Sequence, residues 1–235
     1  MQQLINITIS DFKLIFRDPS LRVFLFLPIL ILGVVYVFLP YLAHRFEEVM
    51  PYVPYVLMAS TVQAGTMFGF VYCMVFIDEK DTQVARIYGV LPMSRANFTA
   101  LRLLIPMVVA TLFTLVLLLI QPFYSISMLA SFLVALSTSI LVPIMALSIS
   151  VLARNKMEGM TWYKIINLVV TVPLVAFFVP DFQMYFGVLP TYWAFVSLGD
   201  IIENGISISL LVAFVYLIGL SLFLLKKHLQ THFSQ

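Results

Sequence analysis

Residues 78–102, DEKDTQVARIYGVLPMSRANFTALR, form the longest polar interruption in a chain that is otherwise mostly hydrocarbon. The stretch holds Asp78, Glu79, Lys80, Asp81, Arg86, Arg95 and Arg102, seven of the 24 charged residues. Apolar runs flank it on both sides, 53–77 before and 103–121 after. The whole chain repeats that contrast: 62% of its 235 residues are hydrophobic, 10% are charged and the mean hydropathy is +1.06. A soluble protein carries charge on about a quarter of its residues. A soluble fold of this length has too little interior to enclose so much apolar side chain. The chain is an integral membrane protein.

Working outward from the polar stretch, six apolar spans are expected, at 23–43, 53–77, 103–121, 125–153, 163–180 and 206–225. Each has the ~20 residues that an α-helix needs to cross ~30 Å of hydrocarbon. Pro28, Pro106, Pro143 and Pro173 interrupt spans, which membrane helices tolerate when neighbouring groups satisfy the freed carbonyls. Residues 1–20 alternate differently. Gln2, Asn6, Ser10, Lys13 and Arg17 fall on one arc of a helix, with Leu4, Ile5, Ile9, Phe12, Ile15 and Phe16 opposite. The expected fold is therefore all-α: an amphipathic interfacial helix over 1–20, then one six-helix membrane domain over 21–235.

Twelve of the 13 Lys and Arg residues fall on one side of a six-span layout, and only Arg45 falls on the other. Positive-inside bias then puts both termini and residues 78–102 in the cytoplasm. On the outer side, residues 181–205 are too apolar for a free loop and too broken for a span. They are read as short helices lying in or dipping into the outer interface. Tyr185, Tyr192 and Trp193 are expected at headgroup depth there, and Trp162 and Tyr163 at the inner surface.

Several chemistries are missing. Cys73 is the one cysteine, and no set of residues suggests a metal site. His228 and His232 stand four apart but beside Lys226 and Lys227, so they read as a solvated tail. Dispersed charge with a net of +2 gives no nucleic-acid footprint. Within the spans as drawn, the one ionisable residue is Lys164, at the inner edge of the fifth. Proton relays and ion-coupled carriers usually rest on such groups. H-E-x-x-H, G-x-S-x-G and a phosphate-cradling G-x-x-x-x-G-K-[ST] are all lacking. The chain reads as a non-enzyme, and any uphill transport must draw energy through contact with another protein.

Two features inside the spans stand out. Thr61, Gly65, Gly69 and Cys73 recur every four residues and contain a G-x-x-x-G ridge. Such a ridge serves close packing within one subunit, a dimer seam or a pathway face. Gln63 and Thr66 in the second span, and Lys164, Asn167 and Thr171 in the fifth, are polar groups that either line a path or bond to one another. Twelve methionines and 21 phenylalanines suit either lipid contact or a surface for varied apolar ligands.

Phe16-Arg17-Asp18-Pro19 before the first span resembles the entry of type-2 ABC (ATP-binding cassette) exporter permeases. Asp78-Glu79-Lys80-Asp81, followed by Val90-Leu91-Pro92-Met93-Ser94-Arg95, is similar to that family's acidic start and later TP-x-S element. The family's E-x-G-T reads here Glu79-Lys80-Asp81-Thr82, without the glycine. Asn155-Lys156-Met157-Glu158-Gly159 resembles the branch that contains drug-efflux permeases. The resemblance implies an exporter subunit for a hydrophobic or amphipathic substrate in a bacterial plasma membrane. It implies two copies of an ABC ATPase, which bind ATP and Mg so that this chain needs no cofactor, and a second permease copy or homologue. Asp78, Glu79, Lys80, Asp81, Arg86, Pro92 and Arg95 become the expected ATPase-coupling surface. Gln63, Thr66, Asn167 and Thr171 become candidates for the substrate pathway, since the second and fifth spans flank the central path in the family. The rival readings are an ATP-independent carrier or channel, and a non-transporting membrane scaffold.

Overall fold

The computed structural model describes residues 11, 13–82 and 94–232. No strand occurs among the described residues, and six helical stretches are long and apolar enough to cross a membrane. The first span is α1 (Pro19–Gly33), continued through the π-helical turn Val34–Phe38 into α2 (Leu39–Arg45). Pro40 explains the wide turn: it has no N–H to return to the preceding turn, and the Leu39 N–H reaches back to the Val34 carbonyl instead. The second span is α3 (Val53–Asp81) and the third α4 (Arg95–Ile120). The fourth is broken into α5 (Met128–Ser139) and α6 (Leu141–Leu152). The fifth is α7 (Lys156–Thr171) with a 3-10 extension, Val172–Phe178. A second 3-10 segment, Pro180–Val188, leads into the short helix α8 (Tyr192–Glu203), and α9 (Ile208–His232) is the sixth span.

The breaks follow from proline and hydroxyl chemistry. Pro143 leaves the Ser139 carbonyl without its helical donor. In the turns just before it, Ser137 and Thr138 donate to the Val134 carbonyl at 2.9 and 3.0 Å, and Ser139 to Leu136 at 2.8 Å. These hydroxyls are thereby satisfied inside an apolar core. Pro173 ends α7 in the same way, and the Thr191 hydroxyl donates to the Val170 carbonyl at 2.6 Å. The fifth helix begins at Lys156 rather than near residue 163, because its start is capped. Asn155 Oδ1 accepts the Glu158 N–H and Glu158 Oε2 accepts the Arg154 N–H, each at 2.9 Å. The stretch read as a family motif is thus also a reciprocal cap.

The second span is the hub. Of its most apolar window 89% is buried, against 17% for the first and fifth spans. The missing side chains of Gly65 and Gly69 make that possible. A Cβ on Gly65 would lie 2.7 Å from the Thr138 carbonyl oxygen, and one on Gly69 2.7 Å from Met145 Cβ and the Val142 carbonyl oxygen. The small-residue ridge therefore faces α5 and α6 of the same chain. At the opposite end of the bundle from the termini, α8 tucks in against α9 and α3. Tyr192, expected at headgroup depth, is buried there, and Trp193 donates to the Gly187 carbonyl at 3.0 Å, whereas Tyr185 is exposed. Gly205, at φ +89°, makes the turn into α9. Ser207 and Ser209 close that turn by donating to Asp200 Oδ2 at 2.7 and 2.5 Å.

Candidate functional site

The Lys/Arg-rich end of the bundle carries two ionic nodes of opposite character. The first is buried. Arg102, seven residues into α4, grips Asp11 in a two-pronged pair, with Nε to Oδ2 at 2.9 Å and Nη2 to Oδ1 at 2.7 Å. Its Nη1 also donates to Glu79 Oε2 at 2.9 Å, and Nη2 lies 2.6 Å from Oε1. The guanidinium lies over two rings, its Cζ 5.1 Å from the Phe76 centroid and 5.3 Å from that of Phe98. Arg102 is the largest fully buried side chain among the described residues, at 1% exposure. One cation thus joins the segment before the first span, the end of α3 and the start of α4. Burial pushes the Asp11 carboxyl above the usual carboxylate range, against the downward pull of the guanidinium.

The second node is open. Lys156 Nζ, at the first turn of α7, lies 2.8 Å from Asp78 Oδ1 and 3.7 Å from Asp18 Oδ2. It edges a crevice of about 540 Å³ lined also by Leu14, Arg17 and Pro19. The Lys156 side chain is 37% exposed and both carboxylates 27%. Exposed pairs of this kind contribute about 0–1 kcal/mol each, whereas breaking a buried pair typically destabilises by about 3–5 kcal/mol. The first node is fixed and the second releasable.

The expected coupling residues divide accordingly. Asp78, Glu79, Lys80 and Asp81 form the last turn of α3 rather than the start of a loop. Asp78 faces the open crevice, but Glu79 is 7% exposed and turned inward onto Arg102, so it offers no contact surface. Lys80 is part-buried and donates to the Ser150 carbonyl at the end of α6. Arg95 is exposed in the first turn of α4, behind the Ser94 cap. Arg86 and Pro92 lie outside the described residues, as do residues 1–10 of the expected amphipathic helix. His228 is not in a solvated tail: it is 1% exposed, its Nδ1 2.8 Å from Ser150 Oγ and its ring beside Phe76. Asp11, Arg102 and His228 are the residues that sequence reasoning missed. The signal available for Arg102 was its place at the edge of an apolar run, within reach of an acidic turn.

Of the candidate pathway residues, Gln63 reaches from α3 to α7, while the Thr66 and Thr171 hydroxyls bond within their own helices. Gln63 Nε2 donates to the Tyr163 hydroxyl at 3.5 Å, and the Thr66 hydroxyl to the Gln63 carbonyl at 2.9 Å. Thr171 donates to the Asn167 carbonyl at 2.7 Å. Tyr163, expected with Trp162 at the inner surface, is buried inside the bundle. Its ring packs 4.2 Å from Phe70 and 6.0 Å from Phe24, joining spans one, two and five. Thr61 and Cys73 are buried beside the two glycines.

The family described as "Fluoroquinolones export permease protein Rv2686c-like" matches residues 11–225. The chain belongs to this family of type-2 ABC exporter permeases. It is a multi-pass membrane protein of the transporter class, on the drug-efflux side of that class. The match takes in both ionic nodes and the α3–α7 contact. No curated protein and no solved structure matches the chain.

Proposed function

We propose that the chain is the membrane subunit of an ATP-driven exporter in a bacterial plasma membrane, moving amphipathic aromatic compounds of the fluoroquinolone kind. The Lys/Arg-rich end, with both termini, faces the cytoplasm. Two ATPase subunits dock there, supply the ATP and Mg chemistry, and bear on the crevice edge at Asp18, Asp78 and Lys156 and on Arg95. Two permease copies enclose the path, which accounts for the sparse burial of the first and fifth spans within one copy.

The buried Arg102 node carries this reading. A push on the amino-terminal segment or on the end of α3 cannot be absorbed locally, because Asp11 and Glu79 are held by the same guanidinium. The second and third spans therefore move as one body. The Lys156 contacts are weak enough to break and re-form, so α7 can shift against α3. That shift works on the faces bearing Gln63, Thr66, Asn167 and Thr171, and alternates access to a path between them.

Co-purification in mild detergent, followed by reconstitution into liposomes, tests the proposal. A stoichiometric ATPase subunit and ATP-dependent accumulation of a fluoroquinolone are expected. Transport by the chain alone, driven by an ion gradient without ATP, would establish the carrier reading instead.

A further inference from the structure

The third, fourth and sixth spans leave a cleft of about 190 Å³ between them, to which the first and fifth spans contribute no lining residue. Its floor is buried: Leu103 on α4, and Ile140, Pro143 and Leu147 along the fourth span. Ala100 on α4 and Ile218 and Leu222 on α9 stand exposed at its rim. The lining residues recur at helical spacing over 100–107, 140–147 and 218–225, so the cleft runs along the spans rather than across them. At about 1.5 Å per residue, each of these runs is about 10 Å long.

An open slot of this kind fills with what surrounds it, since an empty one leaves its lining without contacts on one side. Water is a poor occupant. An ordered water needs two to four polar partners, and Ser221 supplies the one polar side chain in the lining. A hydrocarbon chain is slender and flexible enough to follow the slot, and hydrocarbon is what the outside of a membrane span meets.

One end of the slot is charged. Neither α4 nor α9 carries an acidic residue along its whole length. The turn of α9 that follows the cleft carries Lys226 and Lys227, both exposed. Neither side chain makes a hydrogen bond or ion pair among the described residues. Lys226 stands four residues beyond Leu222, on the same side of the helix, so its long stem carries the ammonium past the end of the slot.

We infer that the cleft binds one anionic phospholipid, with an acyl chain lying along α4, α6 and α9 and the headgroup phosphate at Lys226. The chain gains little by leaving bulk lipid, which is equally apolar, so packing in the slot and the Lys226 contact decide the preference. The site selects for headgroup charge and depends on the shape of the cleft. It lies outside the α3–α7 contact and stands independently of the exporter reading.

The test is native mass spectrometry of the full chain in mild detergent, titrated with phosphatidylglycerol and with phosphatidylcholine of the same acyl chains. The wild type should take up a first phosphatidylglycerol about tenfold more tightly than phosphatidylcholine, and the gap should shrink as ammonium acetate is raised. Lys226→Gln should bring phosphatidylglycerol down to the affinity of phosphatidylcholine, and Lys226→Arg should restore the difference. Lys164→Gln, at an exposed cation on α7 away from the cleft, should change neither. Glycerol 3-phosphate, which has the phosphate without the chains, should not compete. A mapping experiment on the wild type needs no variant to fold. Phosphatidylglycerol with a photoactivatable diazirine midway along one chain should label 100–107, 140–147 and 218–225. Equal affinity for the two lipids in the wild type, an unchanged preference in Lys226→Gln, competition by glycerol 3-phosphate, or adducts confined to the first and fifth spans would each overturn the proposal. A disulfide between two copies of Leu222→Cys in the membrane would also overturn it, by seating a second copy on the rim.

Discussion

Replacing Arg102 by methionine keeps most of the side-chain volume but strips the charge from a site that is 1% exposed. Asp11 and Glu79 are then left facing each other across an apolar gap between Phe76 and Phe98. Two pairs break at once, so the cost should reach at least the ~3–5 kcal/mol typical of one orphaned buried charge. Loss of the contacts with two rings adds about 0.5–2 kcal/mol. Neutralising the carboxylates together with the arginine, as Asp11→Asn/Glu79→Gln/Arg102→Met, should recover most of that loss. The arithmetic then involves polar groups rather than uncompensated charges. Denaturant unfolding in mixed detergent micelles measures both, and a double-mutant cycle isolates a coupling of at least ~2 kcal/mol. Acid should rescue the single variant. Asp11 already binds its proton more tightly folded than unfolded, so its contribution to stability falls as pH rises through its raised folded value. Without the guanidinium that trend steepens, and Arg102→Met should gain stability as the pH is lowered from 7 toward 5. A loss below about 1 kcal/mol, additive with the carboxylate changes and flat with pH, would refute the reasoning from burial.

The other node should behave differently. Lys156→Ala is expected to change stability by less than about 1 kcal/mol, since its pairs are a third exposed, yet to lower the substrate exported per ATP hydrolysed in the reconstituted complex. Unchanged coupling would remove its role as a releasable contact. Gly69→Leu should destabilise by at least ~1–3 kcal/mol and reduce folded yield, because even a Cβ meets Met145 and the Val142 carbonyl at 2.7 Å. Wild-type yield would show that α3 and α6 do not approach so closely. Asn155→Ala should cost about 0.5–2 kcal/mol and raise amide hydrogen exchange in the first turn of α7, since it deletes the acceptor for the Glu158 N–H.

The sequence by itself determined the class of the fold and the number of its spans. Both are set by a bulk quantity, the length of each apolar run against the thickness of a bilayer. Helix starts were less legible, even where local chemistry sets them: the caps at Asn155 and Glu158 begin α7 at Lys156, ahead of the apolar run that starts at 163. Only the tertiary structure decided which charges are solvated. Asp78 and Glu79 are adjacent in the same acidic turn and look alike in sequence, but one residue is a turn of 100° on a helix. That rotation leaves Asp78 at an open crevice and buries Glu79 against Arg102, which also holds Asp11, 91 residues away in the chain. The same reason separates Tyr163, packed on Phe70, from Lys164 beside it, which is exposed and without a partner among the described residues. A hydropathy pattern records how much of a span is apolar. Which neighbour each side chain meets depends on the register between helices, and that is set by contacts such as Gly65 against Thr138 and Gly159 against Met74.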